Sequence, residues 1–434
     1  MSHAMHLDVI DTLAVFEACE RNWDAVYAAD PDAHYFLSWG WLRQLLGEGG
    51  HNWCVLAVKA APSDGDYVAF FPLRRRVRYS HSARRFCSEI QMAGSIAWAD
   101  YTGFICHPAH EAAIAVFGAH LRQMGWRRLT LKNFRASEKR LHALVSALSG
   151  PAFHQDDRPR IGKTDNTNLL VCPYVELPDD FEHYLQSKLS ANARQKVRRF
   201  LRKVDQSDTL RFTLASAETY TRDIEILISF WHRKWGERKG ARADELARRY
   251  RSILHLAWSG GTLFLPVLWH GTRPLGALGS FVDRQKQSLL FFVAGRDESC
   301  NVPPPGLVLH AHSIRWAIDN GLRCYDFLRG DEGYKYAFGA TDRQIRYIVI
   351  DTRDHAQTHD PSDPQSLDAI VRHATRHHES GRLDVAECGY RQVLAAAPDH
   401  PAALRYYGRL LIQSDRYAEA DPIFARLAHA TPDG

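Results

Sequence analysis

The run Tyr325-Asp326-Phe327-Leu328-Arg329-Gly330-Asp331-Glu332-Gly333-Tyr334-Lys335-Tyr336-Ala337-Phe338-Gly339 is where this chain concentrates residues that could do chemistry. An apolar strand gives way to an acidic loop flanked by glycines, and a lysine then stands among aromatics. Apolar neighbours strip water from an ammonium. A partly desolvated lysine suits the holding of a phosphate or of developing negative charge. Loops at strand ends are also where α/β proteins place function. A plainer reading fits the same residues: a tight turn whose surface lysine lays its stem over apolar neighbours.

Two further stretches could meet an anion. Asn301-Val302-Pro303-Pro304-Pro305-Gly306 runs into a helix expected from Leu307. The prolines stiffen the entry and Gly306 permits close approach. Free N–H groups and the dipole at Pro305, Gly306 and Leu307 would favour a pyrophosphate; an ordinary loop has the same composition. In residues 188–203, Val197, Phe200, Leu201 and Val204 fall at helical spacing and predict a buried stripe. Arg194, Lys196, Arg198, Arg199, Arg202 and Lys203 occupy the remainder, with Ser190 placed to cap the helix. That face is either a cationic wall for a nucleotide cofactor, a nucleotide-linked substrate or a tRNA end, or a solvated surface.

Other chemistry is disfavoured. Gly162-Lys163-Thr164 resembles the end of a phosphate loop, but the first glycine of that motif would fall at Asp157 and no apolar strand leads in. HExxH and GxSxG are absent. The eight cysteines form no CxxC pair, which disfavours zinc ribbons and thioredoxin chemistry and fits free thiols in a reducing compartment. No metal is expected; His373, His377 and His378 are expected to face solvent. Trp231, His232 and Trp235, at helical spacing, fit packing better than an acceptor-binding aromatic cluster.

The elements that position these residues form repeated patterns. With 434 residues, the chain has room for two to three domains. Hydrophobic residues at 45% and charged residues at 24% are ordinary for a globular protein. A net charge of +5 is too small to argue for nucleic acid. No signal peptide is read in residues 1–20 and no apolar run is long enough to span a membrane, so a cytoplasmic location is expected. A hairpin, a helix ending at Gly125 and a strand recur as a hairpin, a helix ending at Gly321 and a strand. This predicts two related α/β domains, 1–172 and 173–353, the second with a helical prelude. Beyond a linker at 354–366, Gly381, Ala386, Tyr390, Val393 and Pro398 recur as Asp415, Ala420, Phe424, Leu427 and Pro432. A period of about 34 residues is that of tetratricopeptide repeats. A pair over 367–434 is too few to stand alone. It docks on the body, pairs between chains, or is a remnant of a longer array. Because the candidate residues all precede Arg353, the pair is expected to be dispensable for chemistry.

The basic helix, the WHRKWGERKG segment, the second hairpin, the Pro-Gly loop and YDFLRGDEGYKYAFG together resemble the CelD/BcsL family of GNAT-type acetyltransferases, named for a link to bacterial cellulose biosynthesis. The resemblance covers roughly residues 30–352. The wider superfamily includes the FemABX peptidyl transferases, whose K-x-x-F-G-like lysine resembles Lys335-Tyr336-Ala337-Phe338-Gly339. The resemblance implies tandem GNAT-like domains and acyl transfer from acetyl-CoA, with aminoacyl-tRNA as donor in the Fem branch. The acceptor would be a small molecule or polymer precursor, and the repeats could bind a protein. Val293 and Gly295 would line the donor site together with Pro305, Gly306, Leu307, Arg194 and Arg198. Asp326, Asp331 or Glu332 would take the acceptor proton, and Lys335 would hold the leaving group or donor phosphates. A standard GNAT loop has several glycines before its helix; Gly306 alone stands here. A scaffold with a degenerate GNAT body is the non-catalytic alternative.

Overall fold

The computed structural model describes residues 5–48, 52–97, 99–162, 166–300, 303–353 and 364–430. Strands β1 (His6–Ile10), β2 (Trp53–Lys59), β3 (Ala69–Ser80), β4 (Arg85–Met92), β5 (Ile105–Cys106), β6 (Arg128–Phe134), β7 (Phe153–Asp157) and β8 (Val171–Glu176) come first. Then follow β9 (Leu210–Leu214), β10 (Leu263–Phe264), β11 (Pro266–His270), β12 (Arg273–Asp283), β13 (Ser288–Arg296), β14 (Cys324–Asp326), β15 (Thr341–Gln344) and β16 (Arg346–Thr352). They build two sheets, ordered β1-β2-β3-β4-β6-β16-β7 with β5 beside β3, and β15-β8-β14-β13-β12-β11-β9 with β10 beside β12.

The expected duplication is visible in the pairing. In the first sheet β2, β3 and β4 are antiparallel, and the helix Ala113–Gln123 carries the chain over to lay β6 parallel to β4. In the second, β11, β12 and β13 are antiparallel, and the helix Pro305–Asp319 returns the chain to β14, parallel to β13. The strands are near-continuous apolar runs because both sheet faces are covered; six of the seven residues of β2 are buried. The prelude to the second sheet is not purely helical. Helices Phe181–Lys188 and Ala191–Asp205 lead into β9, and helices Tyr220–Lys239 and Ala243–Ser259 follow it. Ser190 caps as expected, its Oγ accepting from the Ala193 N–H at 3.3 Å, and Val197, Phe200, Leu201 and Val204 are buried.

The last strand within 173–353, the span expected for the second unit, does not belong to that unit's sheet. β16 inserts between β6 and β7 of the first sheet, with Ile348, Val349 and Ile350 buried. β6 offers a free edge over an apolar core, and a short apolar strand arriving there satisfies both. The units are stitched further by side chains. The Tyr27 hydroxyl donates to Asp283 at 2.5 Å, and the Lys286 ammonium donates to the Ala28 and Asp30 carbonyls at 3.0 and 2.7 Å. The Tyr35 ring stacks on Phe281 at 4.8 Å.

The repeat pair forms helices Pro364–Glu379, Leu383–Ala396, Pro401–Gln413 and Tyr417–Ala430. Residues 354–363 of the expected linker, and Pro432 of the repeat, lie outside the described residues. Gly381 and its counterpart Asp415 both adopt left-handed backbone, with φ of 75° and 57°, to close equivalent inter-helix turns. Of the three placements left open by sequence, the structure takes the first: the pair docks on the β3–β4 hairpin. A Cβ at Gly389 would lie 2.6 Å from the Phe86 ring, so only glycine admits this approach. Gln392 exchanges two hydrogen bonds of 2.9 Å with the Phe86 backbone, and Val77 and Phe86 join the repeat core. His373, His377 and His378 are partly buried rather than solvent-facing, and His378 Nε2 lies 2.8 Å from Gln413.

Dispensability therefore does not extend to the fold. A chain ending at Arg353 uncovers Val77 and Phe86, and each loses about 1.5–3 kcal/mol of burial. Truncation is expected to lower the melting temperature of the body and to raise binding of a hydrophobic dye. A truncated chain that melts with the full-length protein would show that the seam contributes nothing.

All eight cysteines are free, five of them buried. Among the described residues no helix is long and apolar enough to cross a membrane.

Candidate functional site

The second sheet splits where its parallel pair ends. β13 and β14 pair only as far as Leu290 and Asp326. β13 runs on to Arg296 against β12. The chain after Asp326 turns the other way: the Phe327 N–H donates to the Pro173 carbonyl at 2.9 Å, and Gly330 donates to Val171 at 2.7 Å. β13 also carries a bulge at this level. Gly279 pairs with Val293 and Ser280 with Phe291, leaving Phe292 as the extra residue. A bulge bends its strand and re-aims side chains. Beyond Leu290, the β14-side edge of β13 therefore has no strand beside it and its backbone groups face a fork.

The helix Pro305–Asp319 starts beside this fork. Pro305 occupies its first turn, where a missing N–H costs nothing. A Cβ on Gly306 would lie 3.1 Å from an Arg296 guanidinium nitrogen, which places that cation over the first turn. One turn further, the His310 ring lies 4.7 Å from Phe291 on β13 and 5.3 Å from Phe327 beyond β14. Its Nδ1 is 2.8 Å from the Tyr325 hydroxyl, and its Nε2 makes no hydrogen bond among the described residues. Burial, with Lys335 and Arg296 behind it, pushes the imidazole down to about 3. His310 is thus neutral at pH 7.

Two other histidines, one buried and one half-buried, behave alike. Burial lowers His312 to about 4 and His34 well below its usual value. In the unfolded chain each would titrate near about 6.5. As pH falls below that, the unfolded state binds protons the folded state refuses, so stability falls until the folded values are reached. Urea unfolding is expected to show a loss between pH 6.5 and 4, with His310→Gln flattening the slope. An unchanged slope would place His310 in solvent.

The structure gathers some expected site residues and disperses others. Asp326 ends β14, Asp331 and Glu332 lie on the loop leaving it and Lys335 on the single helical turn Gly333–Tyr336 that follows, while Pro305, Gly306 and Leu307 lie on the helix start at the same fork. Asp326 is 2% exposed and fully engaged: it accepts from the Tyr101 hydroxyl at 2.8 and 2.9 Å, from the Leu328 N–H at 2.8 Å and from Arg343 at 2.9 Å. Asp331 accepts from the Asn168 N–H at 2.7 Å. The Lys335 ammonium turns inward, donating to the Arg329 and Gly330 carbonyls at 3.0 and 2.9 Å and pairing with Glu332 at 2.8 Å. Val293 and Gly295 face the helix Tyr220–Lys239, not the fork; a Cβ on Gly295 would sit 2.6 Å from the Leu227 carbonyl oxygen. Their contribution at the fork is backbone alone. Arg194 and Arg198 answer the neighbouring helix instead, donating to the Gln186 carbonyl at 3.4 Å and pairing with Glu182. Trp231 is buried in the core against Tyr250.

Residues given no role in the sequence analysis complete the site. The Tyr250 ring lies 5.5 Å from Phe292 at the bulge, and burial, then Asp100, push its phenol up to about 12. Arg329 pairs with Asp100 of the first unit. The only signal for His310 was a histidine on an apolar helix, which reads as core. Among the described residues no group of three or more His, Cys, Asp or Glu could hold a metal ion.

Comparison with known proteins bears on the domains and the fold. The family model "Acetyltransferase (GNAT) domain" matches residues 191–336, which include the fork. A tetratricopeptide repeat model matches residues 377–434. Comparison with curated proteins finds no match. Among solved structures, FemX is similar at a TM-score of 0.54 and 10% identity, covering 76% of this chain and 95% of FemX. A tandem GNAT protein from the clavulanic acid biosynthesis pathway aligns at 0.44 and 10%, covering 80% and 98%. A conserved protein of unknown function from Bacteroides thetaiotaomicron aligns at 0.47 and 10%, covering 80% and 100%. The chain thus carries a GNAT-type acetyltransferase domain within a two-sheet α/β body, followed by tetratricopeptide helices.

Proposed function

We propose that the protein is an acyltransferase that holds an acyl-CoA, in the simplest case acetyl-CoA, in the β13–β14 fork and passes the acyl group to an amine or hydroxyl acceptor. The fork carries this reading: an uncovered strand edge, a bulge and a helix start with an arginine over its first turn, all within the segment that matches a GNAT model.

In this reading the free N–H groups of the helix start and Arg296 hold the donor diphosphate. Backbone N–H groups on the open edge of β13 polarise the thioester carbonyl, and one such positioned donor is worth about 10²–10³ in rate. The acceptor nitrogen or oxygen attacks the carbonyl carbon, the carbon–sulfur bond breaks, and the acceptor proton leaves as the thiol forms. His310 Nε2 is the neutral group at the fork suited to accept that proton. Arg296 is one of the cations that hold His310 neutral, so a diphosphate on Arg296 would make the imidazole a stronger base. The CelD/BcsL resemblance points to an acceptor among precursors of an exopolysaccharide such as cellulose. The test is release of free thiol from acetyl-CoA in the presence of nucleotide-linked sugars and simple amines, with His310→Gln slowed.

A second reading, aminoacyl transfer from tRNA, is favoured by one observation. Lys196, Arg199, Arg202 and Lys203 are exposed on the helix Ala191–Asp205 with no ion-pair partner among the described residues. Steeply salt-dependent binding of charged tRNA, without acetyl-CoA turnover, would support it.

A further inference from the structure

Between the two units, three half-buried cations converge, and among the described residues one carboxylate, Asp100, answers them. Lys132 stands near the end of β6, Arg160 on the segment after β7, and Arg329 on the loop leaving β14. Arg329 donates to Asp100 at 2.5 Å, and both side chains are largely buried, at 16% and 15% exposure. The Arg160 guanidinium donates to the Asn133 side-chain oxygen, a neutral partner. The Lys132 ammonium has no hydrogen-bond or ion-pair partner among the described residues. Burial, then Arg329, pulls Arg160 down to about 10, and burial, then Arg160 and Arg329, pulls Lys132 down. The Asn133 side chain, next in sequence to Lys132, links the set in space: it accepts from Arg160 and donates to the carbonyl of Ala99, the residue before Asp100, at 2.8 Å. Like charges gathered where water is scarce are unfavourable unless an anion joins them.

Asp100 and Arg329 are near enough to Tyr250 to act on its phenol, and Tyr250 packs on Phe292 at the bulge. A ligand group at the three cations would thus lie on the acceptor side, opposite the Arg296 end.

We propose that Lys132, Arg160 and Arg329 form a subsite for a dianionic phosphoryl group carried by the acceptor. Three cations less the Asp100 carboxylate leave two positive charges, which match a phosphate monoester or a diphosphate better than a single carboxylate. Arg160 and Arg329 present flat N–H forks suited to phosphoryl oxygens, and Lys132 adds a point charge. The assignment of this group to an acceptor rests on the acyltransferase reading; the subsite itself does not.

The test is calorimetric titration of phenyl phosphate, inorganic pyrophosphate and benzoate into full-length protein carrying Arg296→Gln, which removes the donor-end cation. Saturable binding of phenyl phosphate or pyrophosphate, with benzoate weaker by about tenfold or more, is expected. The tighter of the two phosphates identifies monoester or diphosphate chemistry. Adding Lys132→Gln is expected to weaken phosphate binding by about tenfold, and in phosphate-free buffer to raise the melting temperature by relieving repulsion. Arg160→Gln should weaken binding comparably. Equal phosphate affinity with and without Lys132→Gln, or no phosphate binding at all, overturns the subsite. Phosphate binding in a protein that never binds acetyl-CoA would instead keep the subsite and sink the donor reading.

Discussion

Lys335→Met is expected to destabilise the protein by about 3 kcal/mol, a loss set by buried hydrogen bonds rather than by chemistry. The side chain is 2% exposed, and its ammonium is spent on the Arg329 and Gly330 carbonyls and the Glu332 carboxylate. Methionine keeps the volume but leaves two carbonyls and a carboxylate without their donor. Each lost charged hydrogen bond costs about 1.5–3 kcal/mol, partly recovered where water re-enters. Lys335→Arg should not rescue, because a planar guanidinium does not fit the loop that closes around a single nitrogen. Since the same loop presents Arg329 to the junction, turnover should fall in step with local order. Urea unfolding measures the stability term. A loss below about 0.5 kcal/mol would put the ammonium in solvent, where it was expected to meet the donor.

Asp326→Asn is expected to cost about 3–5 kcal/mol, the range for breaking one side of a buried ion pair. Arg343 is held against Asp326 at 2.9 Å and lies over the Tyr174 ring at 4.1 Å, so it would lose its counter-charge at a half-buried position. The Leu328 N–H would lose an ionised acceptor where φ is 56°, a left-handed conformation that leucine adopts only under constraint. Tyr101 comes from the first unit, so its bond to Asp326 ties the two sheets together. A double-mutant cycle with Tyr101→Phe should therefore show coupling of about 1 kcal/mol or more. Additive effects would mean that the hydroxyl and carboxylate do not act on each other. Buried and saturated, Asp326 is a poor candidate for the acceptor's proton, the role its place at a strand end had implied.

Sequence legibility tracked locality. The 34-residue period, the helical stripe at Val197, Phe200, Leu201 and Val204, and the hairpin–helix–strand duplication are local patterns, and each reappears as an element. Long-range choices were not visible. Arg346–Thr352 is a short apolar strand that could complete either sheet, and only the free edge of β6 decides between them. Lys335 among aromatics reads alike whether its ammonium faces a ligand or folds onto its own loop. Gly295 looked like a place for backbone approach to a donor, whereas a helix backbone makes that approach. The bulge at Phe292 has no signature in its own residues, since it arises from register against Gly279 and Ser280. Lys132, Arg160 and Arg329 are far apart in the chain and meet only when the units close.

The central claim is that the β13–β14 fork and its helix start bind an acyl-CoA. Calorimetric titration of acetyl-CoA into the full-length protein and into Gly306→Trp tests it most directly. Any side chain there must shift the Arg296 guanidinium, which sits 3.1 Å from the Cβ position and pairs with Glu298, without disturbing the sheet. The account predicts saturable binding to wild type, at least about tenfold weaker in the variant, with melting temperatures nearly equal in the absence of ligand. Absent binding in the wild type, or equal affinity in both proteins, would contradict it.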